Sequence, residues 1–143
     1  MPTQDFNHRI ALVVCSELPL WKALNTTAHL SAFFGNYLNN RFGTAPNFET
    51  ADGIRLPRNT QYPIIILQAT PAQIHEFSRK MHQNNQEVTK MYFIKEMIES
   101  TNDERIEALV SLQLQKELEY LGVGLFGENQ LIKDLTSNFK LWS

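Results

Sequence analysis

Apolar residues in this chain are distributed in two ways. Unbroken apolar runs at residues 9–15 (RIALVVC) and 62–69 (YPIIILQA) suit strands buried on both faces of a sheet. A third strand is predicted over residues 88–94. Between these runs the pattern turns helical. Over residues 21–42 Trp21, Leu24, Ala28, Ala32 and Leu38 keep to one side, widened by Leu30, Phe34 and Tyr37, and Gly43 is placed to end the helix. Thr70 as N-cap, Pro71 at the first helical position and Gln73 closing a capping box open a second helix. Its buried stripe is Ile74, Phe77 and Met81, and Asn84-Asn85 ends it. Residues 101–104 (TNDE) open a third helix through Ile106, Leu109 and Val110. Asp52-Gly53 within residues 47–56 predicts a short hairpin. Residues 112–121 fit either a continued helix or a strand begun near Leu118, and the strand is the preferred reading. A short helix over residues 128–137 and a terminal strand over 139–142 complete the chain.

Strands alternating with helices predict an α/β domain. The expected architecture is three-layer α/β/α around a mixed, mainly parallel sheet of about four to five strands; the hairpin and final strand argue against a purely parallel one. A chain of 143 residues fits a single domain over residues 1–143, with 1–7 a loose N-terminal arm. The apolar share of 43% and charged share of 20% are those of a chain able to bury a core. A lone cysteine, Cys15, excludes an internal disulfide or a cysteine-rich zinc site and fits a reducing, cytoplasmic setting. No apolar stretch approaches the length of a membrane helix. Thirteen basic and fifteen acidic residues give a net charge of −2 without a basic stripe. Such a balance disfavours tRNA as a partner, although folding could gather Arg55 and Arg58.

Lys22 and His29 lie about 20° from one helix face and roughly 10 Å apart along the axis, with Asn25 and Thr26 between them. Such a stripe can be a solvated helix face or a site. Trp21 follows a loop and is the better aromatic for ligand contact, whereas Phe33 and Phe34 suit the core. Cys15 ends a buried strand with no visible activating base, so packing is its preferred role. His8, His75 and His82 show no metal-ligand spacing, and Glu76 and Arg79 mark the helix bearing the last two as exposed. Gly124 and Gly127 read as a tight strand-to-helix turn rather than an anion cradle.

Three segments carry a family resemblance: IALVVCSELPLWKALNTTAHL from Ile10, MYFIKEM from Met91 and VGLFGENQLIKDLTSNFKL from Val123. Together they resemble type II peptidyl-tRNA hydrolases. SELPLWKALN, DGIRLP, FIKEM and the NDE at residues 102–104 resemble more closely an uncharacterised family, domain of unknown function 2000, with the same fold. The resemblance implies a site in which Lys22 stabilises a developing oxyanion, Glu96 holds it or activates a water, His29 sits nearby, and Ser100 stands where the hydrolases carry a threonine. Trp21, Asn25 and Thr26 would contact ligand. The hydrolases' glycine- and lysine-rich start to the first helix is replaced here by Pro19-Leu20-Trp21, which points away from tRNA.

Two functions follow as expectations. One is an ester hydrolase using Lys22, Glu96 and a water, with neither metal nor cofactor. The other is a non-catalytic module for a small anionic or amide-bearing ligand. No membrane partner is expected, and a homodimer is left open.

Overall fold

The computed structural model of the chain describes residues 4–39 and 47–143. Its first half runs β1 (His8–Cys15), α1 (Leu20–Leu38), β2 (Phe48–Glu49), β3 (Arg55–Leu56), β4 (Ile64–Ala69) and α2 (Pro71–Gln83). The second half runs β5 (Thr89–Ile94), α3 (Lys95–Glu99), α4 (Asp103–Val110), a 3₁₀ turn (Gln115–Glu117), β6 (Tyr120–Glu128), α5 (Asn129–Leu135) and β7 (Lys140–Leu141). β1 is buried from Ile10 to Cys15, and its alternating side chains feed two cores. Ile10, Leu12 and Val14 meet α1; Ala11, Val13 and Cys15 meet α2 and Ile132 of α5. No helix among the described residues is long and apolar enough to cross a membrane.

The main sheet has five strands in the order β5-β6-β1-β4-β7. It is mixed, but the expectation of a mainly parallel sheet is overturned. Among the described residues β1–β4 is the one parallel pair; β6–β1, β5–β6 and β7–β4 are antiparallel. The physical reason lies in what α3 and α4 connect. β1, β4 and β5 do run the same way, each followed by a helix, as the alternation implies. The chain then stays at the same sheet end through α3, α4 and the 3₁₀ turn instead of crossing over. It returns as β6 between β5 and β1, so β5 never meets a parallel neighbour. Alternation reports strand direction, not adjacency.

The inward face of α1 also differs from the predicted stripe. Ala23, Thr26, Leu30, Phe34 and Leu38 are buried, whereas Trp21 and Leu24 are exposed. Two glycines of β6 decide this. A Cβ on Gly122 would lie 2.6 Å from Thr26 Cγ2, and one on Gly124 would lie 2.5 Å from Phe34 Cε2. The helix therefore sits in a glycine groove that only its Thr26–Leu30–Phe34 line can fill. α1 ends at Leu38, with Asn39 at φ 51°; the predicted stop at Phe42 and Gly43 lies outside the described residues. The α2 capping box forms as its sequence predicts: Thr70 Oγ1 accepts from Gln73 N–H, and Gln73 Oε1 accepts from Thr70 N–H. β2 and β3 pair around Gly53 at φ +89°. In residues 112–121 a 3₁₀ turn precedes strand from Tyr120, in line with the preferred reading.

Candidate functional site

Because the glycine groove seats α1 over β6, part of β5 remains uncovered beside the helix. α3 and the start of α4 close the far side. The result is a cleft of about 470 Å³ near the C-terminal end of β5, lined by Asn25 and His29 of α1, Met91 and Phe93 of β5, and Met97 and Ser100 around α3. Thr101 and Asp103, at the start of α4, add polar atoms to the rim. The His29 ring stacks on Phe93 at 4.8 Å between centroids and 19° between planes, which fixes its orientation over the floor.

Of the residues singled out in the sequence, the cleft gathers Asn25, His29 and Ser100. The others lie elsewhere. Lys22 places its Nζ 5.6 Å from the ring centroid of its neighbour Trp21, which is 60% exposed. Neither lines the cleft. Thr26 is fully buried between α1 and β6, and its Oγ1 has no hydrogen-bond partner. Glu96, half-buried on α3, accepts a 3.0 Å hydrogen bond at Oε1 from Gln113 Nε2, and its buried Oε2 has no partner. Among the described residues Lys22 and Glu96 form no ion pair with each other. β6 separates the strands that lead into them, so the two chain segments start about two strand spacings, roughly 10 Å, apart.

Gln113 carries no sequence signal for this role. It reaches Glu96 only because the turn after α4 folds back over α3. A bulge also went unforeseen. Phe93 pairs with Gly122 and Ile94 with Tyr120, leaving Leu121 unpaired. Tyr120 is thereby turned to the α2 face, where its hydroxyl meets His82 Nε2 at 2.9 Å and accepts from Gln115 Nε2 at 2.9 Å. His75 is half-buried there rather than exposed, and its Nε2 lies 2.8 Å from the Lys116 carbonyl.

Cys15 and His75 do share a small cavity of about 310 Å³ with Glu119 and Tyr120. Burial pushes the Cys15 thiol above its ordinary pKa, with Glu17 and Glu119 acting in the same direction electrostatically. That setting holds the protonated thiol, the opposite of an activated nucleophile. No group of three or more metal-ligating side chains assembles among the described residues.

These features define an α/β protein on a five-stranded mixed sheet, with a ligand-sized cleft between its first helix and an edge strand. The chain belongs to the family described as "Protein of unknown function (DUF2000)", which matches residues 8–143. A solved structure of a protein of unknown function from Agrobacterium tumefaciens is similar at a TM-score of 0.82 and 17% identity, over 97% of this chain and 100% of that one. At that identity the likeness is one of fold. No curated protein matches the sequence.

Proposed function

We propose that this chain is a small-ligand-binding module on a type II peptidyl-tRNA hydrolase-like fold, with the ligand held between α1 and the α3–α4 corner. The observation that supports this most is the composition of the 470 Å³ cleft. An apolar floor of Met91, Phe93 and Met97 lies beneath a few convergent polar groups, the usual make-up of a small-molecule site. Asn25 offers a donor and an acceptor, Ser100 a hydroxyl, and His29 a ring nitrogen. With Lys22 outside the cleft and Asp103 on its rim, an amide-bearing ligand fits better than an anion. The lone, buried, unpaired Cys15 supports a cytoplasmic setting.

Thermal-shift and calorimetric titration with N-acyl amino-acid amides, small carboxylates and phosphates tests the reading. An acyl amide should bind in preference to the anions. His29→Ala and Asn25→Ala should each weaken it about tenfold, the worth of a hydrogen bond in a partly desolvated site. Thr26→Val, buried outside the cleft, should leave affinity unchanged. Binding indifferent to both cleft variants would sink the proposal.

A second reading draws on Glu96. Its unpartnered, buried Oε2 retains a lone pair for a water or a substrate hydroxyl, which is what an ester hydrolase would need. Turnover of acyl esters, abolished by both Glu96→Gln and Lys22→Met, would replace the binding module with that enzyme.

A further inference from the structure

A cavity of about 560 Å³ lies at the other end of the sheet, apart from the cleft beside α1. We propose that it is a second ligand site, and that its ligand is a small organic cation of the ammonium class.

Its floor is aromatic and fixed. The Tyr62 and Phe126 rings meet edge to face at 4.9 Å and 68°. His8 lies against both, 5.8 Å from Phe126 and 6.2 Å from Tyr62. Tyr37, 49% exposed on the last turns of α1, forms a further aromatic wall. Ring faces carry negative potential and attract a cation held within about 6 Å of their centroids.

Apart from His8, the ionisable acid and base groups of the lining have the same sign. Glu87 and Glu128 are the acidic members of the lining, and among the described residues no lysine or arginine lines the cavity. The Glu128 carboxylate accepts from the Gln130 and Leu131 N–H groups, which lower its pKa and keep it ionised. The Glu87 carboxylate has no hydrogen-bond or ion-pair partner among the described residues. The wall bearing Glu87 is drawn in by Gly127, where a Cβ would lie 3.3 Å from the Glu87 carbonyl oxygen.

His8 completes the arrangement. Its Nδ1 lies 3.0 Å from Asp5 Oδ2. Against the opposing effect of burial, hydrogen bonds from the Asn7 N–H, the His8 ring and the His8 N–H, together with positive charge on His8, keep Asp5 below the usual carboxylate pKa. An ionised carboxylate only accepts, so Nδ1 donates to it. In the neutral ring Nε2 then keeps a lone pair, an acceptor for an ammonium N–H. The cavity thus combines aromatic walls with two carboxylates that favour positive charge, and a ring nitrogen that accepts when His8 is neutral, in a volume suited to a small molecule.

Calorimetric titration of the full chain decides it. Choline and putrescine are the cationic probes, dimethylbutanol is the uncharged carbon isostere of choline, and acetate is the anion. Choline or putrescine should bind at least about tenfold more tightly than dimethylbutanol, with acetate silent. Tyr37→Ala and Glu87→Gln, both at exposed positions, should each weaken the cation about two- to fivefold. His29→Ala, in the other cleft, should leave it unchanged, so the two sites stand or fall separately. The proposal is overturned if dimethylbutanol binds as tightly as choline, if neither cation binds at millimolar concentration, or if neither variant weakens the cation.

Discussion

Gly124 and Phe34 form one contact on which the seating of α1 depends. The ring edge of Phe34 occupies the space a side chain at Gly124 would need, 2.5 Å from the Cβ position. Phe34 is fully buried, so it has little room to turn away. Gly124→Ala should therefore destabilise the protein by about 1–3 kcal/mol, the usual cost of overpacking a filled core. Urea unfolding measures it. Phe34→Leu alone opens a void and also destabilises, but combined with Gly124→Ala each change relieves the other. The double variant should be more stable than the sum of the two single losses by about 1 kcal/mol. Strict additivity would show that the pair is not in contact. Side-chain roles such as this were the least legible part of the sequence. Thr26 reads as a polar residue on a ligand stripe, yet it is buried because Gly122, nearly a hundred positions away, leaves room for its methyl. Lys22, on the same stripe, turns to Trp21 rather than to a distant carboxylate. Asn25, His29 and Ser100 do come together, because their backbone positions on α1 and after α3 are set by the fold rather than by any one contact.

At the scale of elements, legibility follows how local the determinant is. The α2 capping box was plain in the sequence because residues Thr70 and Gln73 satisfy each other. α3 was not, being a five-residue helix whose N-cap, Ile94, has no side-chain cap. The position of β6 was equally hidden, since strand order depends on which partner a returning chain finds. The join between α2 and β6 has a further consequence for stability. His82 lies flat on Tyr92 at 4.2 Å and meets the Tyr120 hydroxyl. The Tyr92 hydroxyl beside it is buried without a partner, and burial pushes its pKa up to about 12. Burial first, and the Lys90 charge second, depress the His82 pKa below its ordinary 6.5. A group with a depressed folded-state pKa favours the folded state above its unfolded value, and that advantage is lost as pH falls through the folded value. The melting temperature should thus be level above about pH 6.5 and decline on acidification below it. His82→Phe keeps a ring on Tyr92 and removes the proton, so it should flatten this decline. Asp5 and Glu128, also depressed, act nearer their carboxylate range and do not obscure it. An unchanged profile in His82→Phe would assign the decline to another group.

The whole molecule is organised by β1, which contributes alternate side chains to the core under α1 and to the core under α2. Neither helical layer has a sheet of its own. Loss of one layer would expose half of β1, and with it the pairing to β4 and β6 on which the other layer rests. The chain should therefore unfold as one cooperative unit. Two conservative changes on opposite faces test this. Ile10→Val trims the α1 core and Ile74→Val trims the α2 core, each costing about 0.5–1.5 kcal/mol. Since the two side chains lie on opposite faces of the sheet in separate buried clusters, the double variant should lose the sum within about 0.5 kcal/mol. All three variants should show one transition, with unchanged denaturant slope, by far-ultraviolet dichroism and tryptophan fluorescence alike. Trp21 on α1 and Trp142, packed against the core under α1, both report on that layer, whereas dichroism reads the helices of both layers, so an α2 layer that melted first would part the two probes. If Ile74→Val instead split the dichroism and fluorescence curves apart, the two layers would be separable units. β1 would then be a shared boundary rather than the strand that couples them.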